Sequence, residues 1–124
     1  MTGGCERARR VLIVEDEMLI ALMLQDMLQE AGHHVEGVAG SLQTGLDLAM
    51  AAKADLAILD INLNGEDAYP IAEILKTRRI PFVFSTGYGS SMVRPEYDGV
   101  PTLVKPYQQN LLVAAIRAAV AGGP

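Results

Sequence analysis

Three short runs of consecutive apolar residues constrain this chain more than any other feature: Val11-Leu12-Ile13-Val14, Leu56-Ala57-Ile58-Leu59 and Phe82-Val83-Phe84. A strand with one wet face alternates apolar and polar residues, so an uninterrupted run of this length predicts a strand covered on both faces. Such strands belong to parallel sheets with helices packed above and below. Each run also stops on polar residues. Glu15-Asp16-Glu17 follows the first, Asp60 ends the second, and Ser85-Thr86 follows the third. Asp60 leads into Asn64-Gly65, a turn pair in which both residues tolerate positive φ. Taken alone, Asp60 is either a cap of that turn or a ligand-binding group at the carboxyl end of a buried strand.

The segments between the runs carry helical periodicity. Ile20, Met23, Leu24, Met27, Leu28 and Ala31 make one helical face, and Gly32 is a stop signal. Leu19 and Leu22 fall off that face and are read as additional core in preference to an exposed contact surface. His34 to Val38 is partly polar, which suits an edge strand, and His33 and His34 are expected in solvent at its start. Ser41 is an N-cap for a helix carrying Leu42, Leu46, Ala49 and Met50. Pro70 opens a helix with Ile71, Ile74 and Leu75 inward. The stretch from Gly87 to Pro101 contains Pro95, Gly99 and Pro101, with Met92 and Val93 as its apolar anchors. It predicts a short, frayed or absent helix. Thr102-Leu103-Val104 is the last strand. Leu111, Leu112, Ala115, Ile116, Ala119 and Val120 then form the final helical stripe, stopped by Gly122-Gly123-Pro124. The remaining methionines read as core filler.

Strand and helix alternate throughout, which predicts a doubly wound α/β fold. Five parallel strands with right-handed crossovers commonly take the order 2-1-3-4-5, as in flavodoxin-like folds. The expected organisation is a flexible tail over 1–10, one domain over 11–121 and a short tail over 122–124. At 124 residues a single core is expected. No apolar stretch reaches the roughly 18 residues that span a bilayer, and no signal peptide is read at the start. The single Cys5 has no internal partner, so a reducing cytoplasm is expected. A net charge of −5 argues against direct nucleic-acid binding, and Arg7, Arg9 and Arg10 read as a solvated cluster. With no second domain read after the last helix, output is expected through a surface of this one.

In the 2-1-3-4-5 order, Glu15-Asp16 and Asp60 come from adjacent strands and face one crevice. Thr86 and Lys105 end the next two strands along the same rim. Crowded carboxylates repel and are costly to desolvate. A hard divalent cation with oxygen ligands compensates them, and Mg²⁺ suits a site with few carboxylates, with the backbone carbonyl of Asn62 as a further oxygen. Lys105 and Thr86 then call for an anion, which a phosphoryl group supplies. Carboxylates accept phosphoryl groups, and Asp60 lies between the other acids and Lys105. The plainer readings are a solvated acidic turn at 15–17, a turn-closing hydroxyl at Thr86 and a surface lysine at 105. Each weakens when all four groups converge.

These motifs, in this order from Val11 to Val120, resemble the receiver domain of bacterial two-component response regulators. The match is Glu15-Asp16 after the first strand, Asp60 after the third, Thr86 after the fourth and Lys105-Pro106 after the fifth. The resemblance implies that Asp60 is the phosphoacceptor, taking its group from a phosphohistidine on a sensor histidine kinase or phosphotransfer protein. It implies Mg²⁺ on Asp16, Asp60 and the Asn62 carbonyl, with Glu15 acting through water. It further implies that Lys105 pairs with the phosphoryl group, that the bond to Pro106 is cis, and that Thr86 swings toward the phosphoryl group. Pro81-Phe82-Val83-Phe84-Ser85-Thr86-Gly87-Tyr88 resembles the Pro-Phe-x-Phe-Ala-Thr-Gly-Tyr motif of alphaproteobacterial stand-alone receivers, with Ser85 in place of Ala. Tyr88 is either a gate or part of a partner surface. Thr102 stands where the family usually has the Tyr or Phe that follows the Thr movement, so the aromatic half of the switch is missing. An ordering of Gly87–Pro101 on phosphorylation is the expected substitute.

The leading expectation is a stoichiometric phosphoacceptor, not an enzyme, that signals to a downstream protein target. A degenerate receiver acting as a phosphorylation-independent adaptor is the alternative. A flavin or nucleotide module would need a Gly-rich or Ser/Thr-rich phosphate loop after the first strand, where this chain has acids. A phosphohydrolase with its Asp nucleophile on the first strand fits Glu15 and Glu17 in spacing, but it leaves Asp60, Thr86 and Lys105 unexplained.

Overall fold

The apolar runs lie side by side at the centre of one sheet. The computed structural model describes residues 8–87 and 93–122. In chain order its elements are β1 (Arg10–Val14), α1 (Met18–Glu30), β2 (His34–Ala39), α2 (Leu42–Ala51), β3 (Leu56–Asp60), β4 (Asn62–Leu63) and β5 (Glu66–Asp67). Then come α3 (Tyr69–Thr77), β6 (Phe82–Thr86), a 3-10 turn (Pro95–Tyr97), β7 (Thr102–Val104) and α4 (Gln109–Gly122). The sheet order is β2-β1-β3-β6-β7 with every pairing parallel, the flavodoxin-like order expected. β4 and β5 form a separate antiparallel ribbon around Asn64-Gly65, whose φ values of 54° and 87° are those the turn requires.

Strand alternation splits the core in two. Leu12, Val14, Ala57, Leu59, Phe82 and Phe84 face α2 and α3. Val11, Ile13, Leu56, Ile58, Val83 and Leu103 face α1 and α4. Helix ends are set locally. Gly32, at φ 91°, lets its N–H reach Gln29 O and the His33 N–H reach Leu28 O, which closes α1. The Ser41 hydroxyl accepts from the Thr44 N–H while Thr44 Oγ1 accepts from the Ser41 N–H, a reciprocal cap on α2. Arg78 closes the other end of α2 by donating to Ala49 O and Ala52 O.

Several expected placements differ. Leu19 and Leu22 are 81% and 49% exposed, because α1 buries Ala21, Leu24 and Leu28 and turns the neighbouring stripe outward. Met18, Met23 and Met50 are exposed with them and do not fill core. Leu111 is likewise exposed, and Leu112, Ala115, Ile116 and Ala119 carry the inner face of α4. His33 is buried, not solvated, and its Nδ1 accepts from the Arg9 N–H.

The described part of the stretch before β7 holds only the 3-10 turn, in line with a short fourth helix. Its main anchor is Tyr97, 3% exposed, which sequence periodicity passes over because no repeat surrounds it. The Tyr97 ring stacks on Tyr69 at 5.2 Å and meets Phe84 edge-on at 5.5 Å. Its hydroxyl donates to Glu73. Arg94 pairs with Asp67 at 3.0 Å and lies over the Tyr69 ring. Cys5, Arg7, Tyr88, Met92, Gly123 and Pro124 lie outside the described residues. No helix among the described residues is long and apolar enough to cross a membrane.

Candidate functional site

The carboxyl ends of β1, β3, β6 and β7 meet at one rim. Residues 11 and 13, 56 and 58, 83, and 103 all face α1 and α4. Continuing the alternation puts Glu15, Asp60, Ser85 and Lys105 on that same side. Four polar residues therefore extend four apolar stripes beyond the edge of the core. A cavity of about 370 Å³ opens there, lined by Asp16, Glu17, Asp60, Asn62, Asn64, Thr86, Gly87 and Lys105. Glu15 lies against it, 3% exposed.

Lys105 is the centre of charge. Its Nζ donates to Asp60 Oδ2 at 2.9 Å. Glu15 Oε1 is also 2.9 Å away, an ion-pair distance without hydrogen-bond alignment, and Glu17 Oε1 is 3.9 Å away. The other carboxylate oxygens are held by backbone N–H groups. Asn62 donates to Asp60 Oδ1, Glu17 to Glu15 Oε2, and Asn64 to Asp16 Oδ2, at 3.1, 3.0 and 3.2 Å. The ribbon thus reaches back to the acid of the first strand. The Asn62 amide oxygen accepts from the Gly65 N–H at 2.6 Å, which commits its side chain to the turn.

Two buried carboxylates share one ammonium, and their proton affinities reflect this. Burial pushes the Glu15 carboxyl up to about 7, against the opposing pull of Lys105 and the Glu17 N–H. Burial raises Asp60 as well, with Lys105 again opposing. Burial favours loss of the Lys105 proton, but the two carboxylates of Glu15 and Asp60, each 2.9 Å away, outweigh that and hold the ammonium charged above the ordinary lysine range. Glu15, Asp16 and Asp60 can each bring a carboxylate oxygen within 4.8 Å of the others, and these hard, anionic oxygens fit a divalent ion such as Mg²⁺.

Every expected site residue among the described residues reaches this rim except Thr102. Thr86 is 4% exposed and its carbonyl accepts from the Lys105 N–H at 2.9 Å. The Lys105–Pro106 peptide is cis. Thr102 pairs with Phe84 in the sheet, and its hydroxyl donates to Val100 O, away from the cavity. Sequence reasoning missed Tyr107. It is buried, two residues beyond Lys105, and its hydroxyl meets the Ser85 hydroxyl. Its place on the Leu103–Lys105 parity was the one available signal.

Residues 11–117 match the family described as response regulator receiver domain. The transcriptional regulatory protein PdtaR of Mycobacterium tuberculosis is 38% identical over 116 residues, covering 90% of this chain and 57% of the relative. The phyllosphere-induced regulator PhyR of Methylorubrum extorquens is 33% identical over 123 residues, covering 94% of this chain and 45% of the relative. The chain thus spans about half the length of these curated relatives. The solution structure of SdrG from Sphingomonas melonis Fr1 superposes with a TM-score of 0.83 at 38% identity, covering 91% of this chain and 97% of that one.

Proposed function

The chain belongs to the response regulator receiver domain family, and from that premise we propose that it is a phosphorylation-dependent signalling switch with Asp60 as the acceptor. The observation that carries this reading is the Asp60 carboxylate, held 2.9 Å from Lys105 within an acidic group that includes Glu15 and Asp16. A carboxylate oxygen of Asp60 forms an O–P bond as the P–N bond of a phosphohistidine on a kinase or phosphotransfer protein breaks. The imidazole nitrogen leaves with the electron pair and takes up a proton. Lys105 holds positive charge where the phosphoryl oxygens arrive, and Thr86, which lines the same cavity, supplies a hydroxyl donor to one of them once the group is on Asp60. Mg²⁺ on Asp16, Asp60 and the Asn62 carbonyl supplies further neutralisation of that charge when bound. The domain is a stoichiometric acceptor and passes its state on through protein contact.

Incubation with Mg²⁺ and acetyl phosphate tests the chemistry by intact mass. One added phosphoryl group is expected on the wild type and none on Asp60→Asn. An undiminished adduct on the variant, or none on the wild type, removes the reading. The adaptor alternative draws on Thr102, which offers no ring to report on the site. It requires Asp60→Asn to retain full partner binding.

Kinase docking falls to α1. Met18, Leu19 and Leu22 present an apolar face next to Glu15 and Asp16, with Val38 and Gly40 continuing it. Leu19→Glu and Leu22→Glu are expected to slow phosphotransfer from the kinase at least tenfold and to leave acetyl phosphate labelling unchanged, since burying an unpaired carboxylate in an apolar contact costs more than the roughly 1.4 kcal/mol that a tenfold change represents. Unchanged kinase rates would remove α1 as the docking face.

A further inference from the structure

The loop that presents Lys105 is a short excursion between β7 and α4, and a long flexible side chain on a short loop needs support to hold one position. The structure gives that support from one side chain below it. Tyr107 is 9% exposed, with its ring in the core between the sheet and α1 and α4. Its hydroxyl meets the hydroxyl of Ser85, which is 1% exposed and pairs directly with Asp60 across β3 and β6. The Lys105 N–H is tied to Thr86 O, the residue after Ser85. The Lys105 loop is therefore fastened to β6 twice, by backbone at Thr86 and by side chain at Ser85. Burial pushes the Tyr107 phenol up to about 12, and it also feels the charges of Glu15, Lys105 and Asp60. The phenol thus keeps its proton at working pH.

We infer that the Tyr107–Ser85 hydroxyl pair is a positioning device for Lys105, setting the distance between Nζ and the Asp60 carboxylate from beneath the site. Tyr107 touches no reacting atom. It acts by locating the loop, and Ser85 acts by giving the phenol an anchor on the strand beside Asp60. Alanine at 85 would remove the anchor while keeping the strand. Phenylalanine at 107 would keep the packing while removing the bond.

The inference rests on the phosphoacceptor reading for its kinetic consequence, so its test has one arm that needs no phosphorylation. The variants are Tyr107→Phe, Ser85→Ala and the double variant, in the full chain. Acetyl phosphate labelling of Asp60 is expected to slow about tenfold in each single variant, within the roughly 10²-fold range that an ångström of misplacement can cost. Mg²⁺ affinity should stay constant, because the carboxylates lie on other elements. Each single variant strands one buried hydroxyl, whereas the double variant strands neither and should regain melting temperature. It should nonetheless stay slow. If its rate recovers together with its stability, the pair only satisfies buried polar groups and the inference is overturned. In the second arm, the ¹⁵Nζ resonance of Lys105 in the unphosphorylated protein should move toward those of exposed lysines in Tyr107→Phe. An unmoved resonance overturns the inference as well. Absence of labelling on the wild type would instead count against the phosphoacceptor reading, and the resonance would still decide the positioning role.

Discussion

At the scale of single residues, the site is a charge problem before it is a catalyst. Glu15 and Asp60 are buried and share Lys105, leaving a net negative charge in a region of low polarisability. The sign of the pH effect follows. The Glu15 carboxyl rises from 4.5 in the unfolded chain to about 7 in the folded one, so between those values the folded state binds more protons. The contribution of Glu15 to stability is full below pH 4.5 and is lost as pH rises through 7. The metal-free protein should lose at most about 3 kcal/mol between pH 5 and pH 8, at 1.36 kcal/mol per pKa unit. Asp60 shifts in the same direction. Thermal melts in chelator should show this fall, and millimolar Mg²⁺ should restore the melting temperature at pH 8 by mass action. A melting temperature flat across this range and indifferent to Mg²⁺ would mean that the carboxylates do not carry the strain described.

At the scale of elements, α2 packs tightly at Gly45 against α3 and, less closely, against β1. A Cβ on Gly45 would lie 2.5 Å from Ile71 Cδ1 and 3.3 Å from Val14 Cγ1, and Ile71 is fully buried. Gly45→Ala gains up to about 1 kcal/mol of helix propensity but overpacks a tight contact, typically at a cost of about 1–3 kcal/mol. Net destabilisation of about 1 kcal/mol is expected in urea unfolding. A more stable variant would show that α2 can slide. Close α2 packing matters to the site because α2 and α3 support the sheet face that carries Phe84 and Thr86.

At the scale of the whole molecule, the question is how the site is read. Thr102 offers no ring, but Tyr97 packs against Phe84 from another direction and is tied to α3 through Glu73. Arg94 is tied to the ribbon through Asp67, and the ribbon in turn holds Asp16 through the Asn64 N–H. A continuous run of contacts therefore links the acids to the segment before β7. Phosphorylation is expected to raise hydrogen-exchange protection across Gly87–Pro101, with these tethers as its foundation. Equal protection with and without phosphorylation would rule this readout out.

By itself the sequence determined the five strands of the main sheet, their alternation with helices and the placement of Asp60, Glu15-Asp16, Thr86 and Lys105 at strand ends. These depend on local periodicity and on short motifs, so neighbouring residues encode them. It did not determine which apolar residues of α1 face outward. Two adjacent stripes were both apolar there, and only the position of the sheet selects between Leu24 and Leu22. Nor did it find Tyr97, Tyr107 or the buried state of His33. Each is a single polar-tipped residue whose partner lies far along the chain: Glu73, Ser85 and Arg9. Tertiary structure decided those, because a hydrogen bond between distant residues leaves no period in the sequence.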